Sequence, residues 1–102
     1  MIDIRMSVDA LQLRIEGHAG YADVGSDIVC AGVSMLAQTL AAHMCRADEA
    51  DLMAFDMEDG LKLCMRPDSP RAAEYRTLYA FVQRGFELLA NKYPDNVKLH
   101  TA

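Results

Sequence analysis

From Ile28 to Cys45 the chain carries no Asp, Glu, Lys or Arg, and Ile28, Val29, Val33, Leu36, Ala37, Leu40 and Met44 recur at helical spacing. A helix beginning near Asp27 with this little charge before Arg46 has to be largely buried against something. The flanking segments offer a sheet. Residues 2–8 alternate Ile2, Ile4, Met6 and Val8 with Asp3, Arg5 and Ser7, and residues 11–15 alternate Leu11, Leu13 and Ile15 with Gln12 and Arg14. Period two means strand, and the break at Asp9-Ala10 makes the pair an antiparallel hairpin.

After a polar connector at 47–51, residues 52–58 and 61–66 form a second hairpin, with Met53, Phe55 and Met57 alternating in one strand and Leu61, Leu63 and Met65 in the other. Asp59-Gly60 is a two-residue turn signal in which both positions take positive φ. Ser69 caps a second helix with Pro70 at its first position. Tyr75, Leu78, Tyr79, Val82, Phe86, Leu89 and Tyr93 mark its apolar face, and Pro94 stops it. A last short strand runs through Val97 and Leu99 within 95–100. The order β-β-α-β-β-α-β predicts a single α+β domain over 1–102, with a mainly antiparallel sheet and two helices packed on one face. Because the strands are short, the remaining sheet face or an edge is a place for a partner chain.

A chain of 102 residues with 52% apolar content can build one core without staples. Its net charge of −5 and pI near 5.0 argue against direct binding of nucleic-acid phosphate and suit a basic protein or peptide partner. The start has no basic segment followed by an apolar run, so no leader is expected. No run of about 18 consecutive apolar residues occurs, so no membrane span is expected either. Three cysteines without a Cys-x-x-Cys pair point to a reducing, cytoplasmic setting.

Chemistry concentrates between the second strand and the first helix. Gly17, Gly20 and Gly25 punctuate a loop over 17–26 that has His18 at its entrance, with Cys30 twelve positions on. Capped by Ser26 or Asp27, the helix would place Cys30 in its first turn, with Asp27 as cap at the third helical position. Unpaired N–H groups and the positive end of the dipole favour a thiolate there. An imidazole nearby can take the thiol proton and return it to a leaving amine, and the same N–H groups could hold an oxyanion. Ser34, one turn further on, shares the helical face of Cys30. Asp27 could cap the helix or orient His18.

Plainer readings exist for each residue. A helix-face cysteine is often a small buried hydrophobe, a histidine beside glycine often a turn residue, and Asp27 a cap alone. Tyr21 reads as a lid aromatic or an exposed loop tyrosine, Cys45 and Cys64 as packing, the methionines as core filler, and His100 as solvated. His18, Cys30, His43 and Cys45 match no usual zinc spacing, and no cofactor or metal is expected. On the residues alone, a cysteine hydrolase, a non-catalytic peptide-binding module, and a thiol redox regulator all stay open. The last requires Cys45 or Cys64 to approach Cys30.

Gly17-His18-Ala19-Gly20-Tyr21-Ala22 and Asp27-Ile28-Val29-Cys30-Ala31-Gly32-Val33-Ser34 closely resemble the ribosomal-processing cysteine proteases called Prp. Length and element order fit over essentially the whole chain. The resemblance implies a homodimeric endopeptidase that removes the N-terminal extension of large-subunit ribosomal protein number twenty-seven, at a phenylalanine-rich sequence; the alternative is a non-catalytic ribosome-assembly or peptide-binding module with a structural thiol. Carried over, Cys30 is the nucleophile and His18 the base, Asp27 and Ser34 support the site, and Gly17, Gly20 and Gly25 let the loop open and close. Val24 stands where the family often has an aromatic residue, and the first hairpin is shorter than is common there.

Overall fold

The computed structural model describes residues 1–23, 27–47 and 49–102. β1 (Ile2–Ser7) and β2 (Gln12–Gly17) pair antiparallel, with Ile4 opposite Ile15 and Met6 opposite Leu13. α1 (Ile28–Ala47) follows, then a 3-10 turn at Glu49–Asp51 and a second hairpin of β3 (Leu52–Asp56) and β4 (Leu61–Met65). α2 (Ala72–Lys92) leads to β5 (Val97–Thr101). The five strands form one sheet in the order β3-β4-β2-β1-β5, antiparallel except where β5 runs parallel to β1. The fold is α+β with a mixed, mainly antiparallel sheet.

One sheet face carries Ile2, Ile4, Met6, Leu13, Ile15, Leu61, Leu63 and Met65 into a core shared with Val29, Val33, Leu40 and Met44 of α1 and Tyr75, Tyr79 and Phe86 of α2. The helices touch each other where they carry glycine. Gly32 lies against Leu89, and Gly85 against Leu36. The other sheet face is polar, with Arg5, Arg14 and Lys62 exposed, and among the described residues no helix covers it.

Several elements differ from expectation. The first hairpin turns over four residues, not at Asp9-Ala10 alone. Leu11 takes φ 56 in that turn, outside the strand, yet is fully buried. Residues 57–60 connect β3 and β4, and only Gly60 of these has a positive φ (108), so the turn is not the two-residue type expected at Asp59-Gly60. Asp56 Oδ1 accepts from the Glu58 N–H at 2.8 Å and tightens this longer loop. α2 starts at Ala72 behind Arg71, which makes no side-chain cap bond, rather than at Pro70 behind Ser69. The Ser69 hydroxyl is committed elsewhere: it donates to buried Asp51 at 2.9 Å and accepts from the Arg71 N–H. Tyr75 donates to the same Asp51 carboxylate at 2.6 Å.

α1 is buried along one face only, leaving Ile28 and Met35 exposed. Its 20 residues are long and apolar enough to cross a membrane, with a mean hydropathy of 1.5, but that buried face packs on the sheet. Met53 and Phe55 are exposed instead of filling the core, because β3 is the edge strand, and Met57 is exposed in the connector that follows it. His100 is half-buried and contacts Asp3 across the sheet at 3.1 Å, so it is not a solvated terminal residue.

Candidate active site

The site forms where the end of β2 meets the start of α1. Asp27 is the cap of α1. Its Oδ1 accepts from the N–H groups of Val29 and Cys30, both at 2.9 Å, and its carbonyl accepts from Ala31 at 3.0 Å. Cys30 therefore occupies the third helical position, fixed by the element's first turn. Asp27 Oδ2 reaches back to the loop, accepting from the N–H groups of Tyr21 at 3.0 Å and Ala22 at 3.3 Å. One carboxylate thus ties loop to helix. The Cys30 N–H bond does most to hold its carboxyl below the ordinary value of 3.8; burial opposes this, and the bonds from Ala22, Tyr21 and Val29 add to it.

These bonds correct the expected oxyanion hole. The N–H groups of Val29, Cys30 and Ala31 are already engaged by Asp27, so they are not free donors. Nor does Asp27 orient His18 among the described contacts, since its oxygens are spent on four backbone N–H groups. The donor that reaches the sulfur is outside the helix: the Ala19 N–H points at Cys30 Sγ at 3.2 Å.

His18, Cys30, Ser34 and Gly17 line one cleft of about 260 Å³, whose other walls include Ile15, Gln38, Met57 and Leu61. His18 is exposed and Cys30 half-buried. The described start of the segment between them, residues 18–21, is held from several sides. The Met1 backbone nitrogen donates to the His18 carbonyl, and Asn96 Nδ2 donates to the Ala19 carbonyl at 2.9 Å. Tyr21 stands edge-on to Tyr93, ring centroids 5.3 Å apart, and is otherwise an exposed loop tyrosine. Gly17 and Gly20 both take positive φ, 86 and 67. Gly25, with Val24 and Ser26, lies outside the described residues.

The cleft continues along α1. Gln38 and Met57 also wall a second hollow of about 360 Å³ with Ala41, Ala42, Cys45, Arg46 and Phe55. The two adjoin at Gln38 and Met57 and make a trough along α1, bounded first by the ends of β2 and β4 and then by the edge strand β3. A wider depression of about 570 Å³ covers Arg5, Gln12, Arg14, Lys62, Cys64 and His100 on the opposite sheet face. It holds neither Cys30 nor His18, so size does not decide the site here.

Cys64 faces away from the helices on β4, and Cys45 is more than four helical turns from Cys30, so neither serves as its resolving thiol. Among the described residues no three His, Cys, Asp or Glu side chains gather as a metal set. Asn96, Tyr93 and Met57 escaped the sequence reading because each reaches the site through tertiary packing, whereas Gln38, one turn beyond Ser34 on the same face of α1, could have been found from helical spacing.

Several known structures share this architecture. A Staphylococcus aureus ribosomal processing protease Prp bound to a covalently linked product peptide superposes with TM-score 0.80 at 18% identity, with full coverage of both chains. The same protease with a substrate peptide gives 0.73 at 19%, again over both full chains. SMU.848 of Streptococcus mutans gives 0.65 at 24%, covering 98% of this chain and 90% of its own. Among curated proteins none matches. The family model described as cysteine protease Prp matches residues 1–98, and with nearly the whole chain inside that match, the protein belongs to the Prp family of cysteine proteases.

Proposed function

We propose that this protein is a ribosomal-processing endopeptidase in which Cys30 is the nucleophile and His18 the general base. Its substrate is the N-terminal extension of large-subunit ribosomal protein number twenty-seven. The observation that carries the reading is the shared cleft: a thiol on a rigid first helical turn and an imidazole at a strand end, with Ala19, Tyr21 and Ala22 tied to the helix start between them. In this reading His18 takes the Cys30 proton as Sγ attacks the scissile carbonyl. It then gives that proton to the departing amine, leaving a thioester that water hydrolyses. The peptide lies along the trough, its apolar side chains against Met57 and Phe55 and its free backbone beside the edge of β3.

The net charge of −5 favours encounter with a basic ribosomal protein. The enzyme works in the cytoplasm as a homodimer without a cofactor. Exposed Ile28, Met35, Phe81 and Leu88 on the two helices support a covering chain. Incubation with the extended ribosomal protein, followed by mass spectrometry, should show loss of the extension. Cys30→Ala and His18→Ala should each abolish it. An intact substrate with wild type under reducing conditions, or cleavage surviving Cys30→Ala, would falsify the assignment. A single monomeric species by sedimentation at working concentration would remove the dimer.

A further inference from the structure

Asn96 lies in the turn between α2 and β5, 77 positions from Ala19. Its backbone is anchored twice: the N–H donates to the Tyr93 carbonyl at 3.0 Å, and the carbonyl accepts from the Ile2 N–H at 2.8 Å. Its side chain is therefore presented from a fixed base. The amide Nδ2 donates to the Ala19 carbonyl at 2.9 Å, and a carbonyl accepts only, so this orientation of the amide is the one that bonds. Ala19 is 2% exposed, and its own N–H donates to Cys30 Sγ at 3.2 Å. Ala19 is thus held at both ends, by Asn96 on one side and the sulfur on the other, and His18 is the next residue along.

We propose that Asn96 is a positioning residue for the catalytic pair. By fixing the Ala19 carbonyl it keeps the Ala19 N–H aimed at Sγ, where a hydrogen bond strengthens once the thiol is ionised. The same tie sets the backbone from which the His18 imidazole enters the cleft. This role rests on the reading of Cys30 as nucleophile. The titratable groups around the sulfur are His18 in the cleft wall and the Asp27 carboxylate on the helix start. Asn96 itself carries no charge, so it acts through geometry.

The test uses the full chain with Asn96→Asp, which keeps the shape but loses the donor, and Asn96→Ala, which removes the contact without adding charge. Alkylation of Cys30 by iodoacetamide is followed across pH by peptide mass, alongside kcat and KM on an extension peptide and urea unfolding. Both variants should move the midpoint of the alkylation profile up by about half to one pH unit. Both should lower kcat by about tenfold with little change in KM. If either folded variant keeps the wild-type profile and kcat, Asn96 is a structural tie only and the proposal is overturned, even where unfolding shifts. Failure of the underlying reading looks different: wild type would then not cleave, or Cys30→Ala would.

Discussion

Two glycines bracket the His18–Ala19 step, and they allow the backbone argument to be tested with an internal control. Gly17 and Gly20 both have positive φ, so alanine at either is strained by about 1–2 kcal/mol. The reduced freedom of the unfolded chain returns about 0.4–1 kcal/mol of that. Their surroundings differ. A Cβ at Gly20 meets nothing within 4 Å, whereas one at Gly17 overlaps the Met1 backbone carbonyl, which cannot rotate away as a side-chain tip could. Displacing it adds about 1–3 kcal/mol. Gly20→Ala should therefore cost about 1 kcal/mol and Gly17→Ala about 2–4 kcal/mol. At about 4–8 °C per kcal/mol for a domain of this size, the melting temperature should fall by less than about 10 °C in the first and by about 8–32 °C in the second. Urea unfolding at a common slope is the measurement. Because Gly17 pairs with Ile2 in the β1–β2 ladder, its variant also shifts the base of His18, so turnover should fall more in Gly17→Ala than in Gly20→Ala. Equal midpoints for the two variants, or a milder Gly17→Ala, would refute the reasoning.

Asp27→Asn replaces an acceptor of four N–H bonds by a group with one oxygen, so exchange at the Tyr21 and Ala22 amides should speed up and turnover should drop by about a hundredfold, with α2 amides unchanged. Asp51 is held below the ordinary carboxyl value, first by the Tyr75 hydroxyl and then by Ser69. A group whose folded value is depressed stabilises fully above its unfolded value and loses that contribution as pH falls through the folded one. Asp51→Asn should therefore flatten the loss of melting temperature below the ordinary value of 3.8, and an unchanged acid limb would count against this. At Gly85 a new Cβ meets only the tip of Leu36, so in Gly85→Ala the helix-propensity gain of about 1 kcal/mol offsets the crowding and unfolding should shift by less than that. Met57→Ser removes about 1–2 kcal/mol of apolar contact from the trough, which should raise KM about tenfold while leaving unfolding unchanged.

The parts of this molecule that were legible in sequence are those decided locally. Alternation placed four strands, and the cap chemistry of Asp27 placed Cys30 at the third helical position. Both depend on neighbours within one turn. Alternation says which residues share a face, but not whether that face is covered. Met53, Phe55 and Met57 alternate as well as Leu61, Leu63 and Met65 do, yet only the second set is buried, because β3 is at the edge and ends before Met57, whereas β4 is inside the sheet. Ser69-Pro70 has the composition of a helix start, and the structure spends that serine on a carboxylate 18 residues earlier in the chain. The left-handed Leu11 leaves no trace in composition at all. Its conformation is imposed from outside, where its carbonyl accepts from the Met65 N–H at 3.0 Å and its side chain fills the core.

The same division explains the site. Its candidate reactive groups, His18 and Cys30, are near in sequence, but part of what holds them is not. The positive end of α1 is answered by the Asp27 carboxylate, so the helix start contributes rigidity more than free donors. The donor to the sulfur comes instead from Ala19, which depends on a residue at the far end of the chain. β5 reaches that place by running parallel to β1, which brings the turn after α2 beside the end of β2. An antiparallel hairpin alone could not deliver Asn96 there. The late strand is therefore part of how the loop is set, and shortening the chain before Val97 should release the loop even though every reactive side chain would remain.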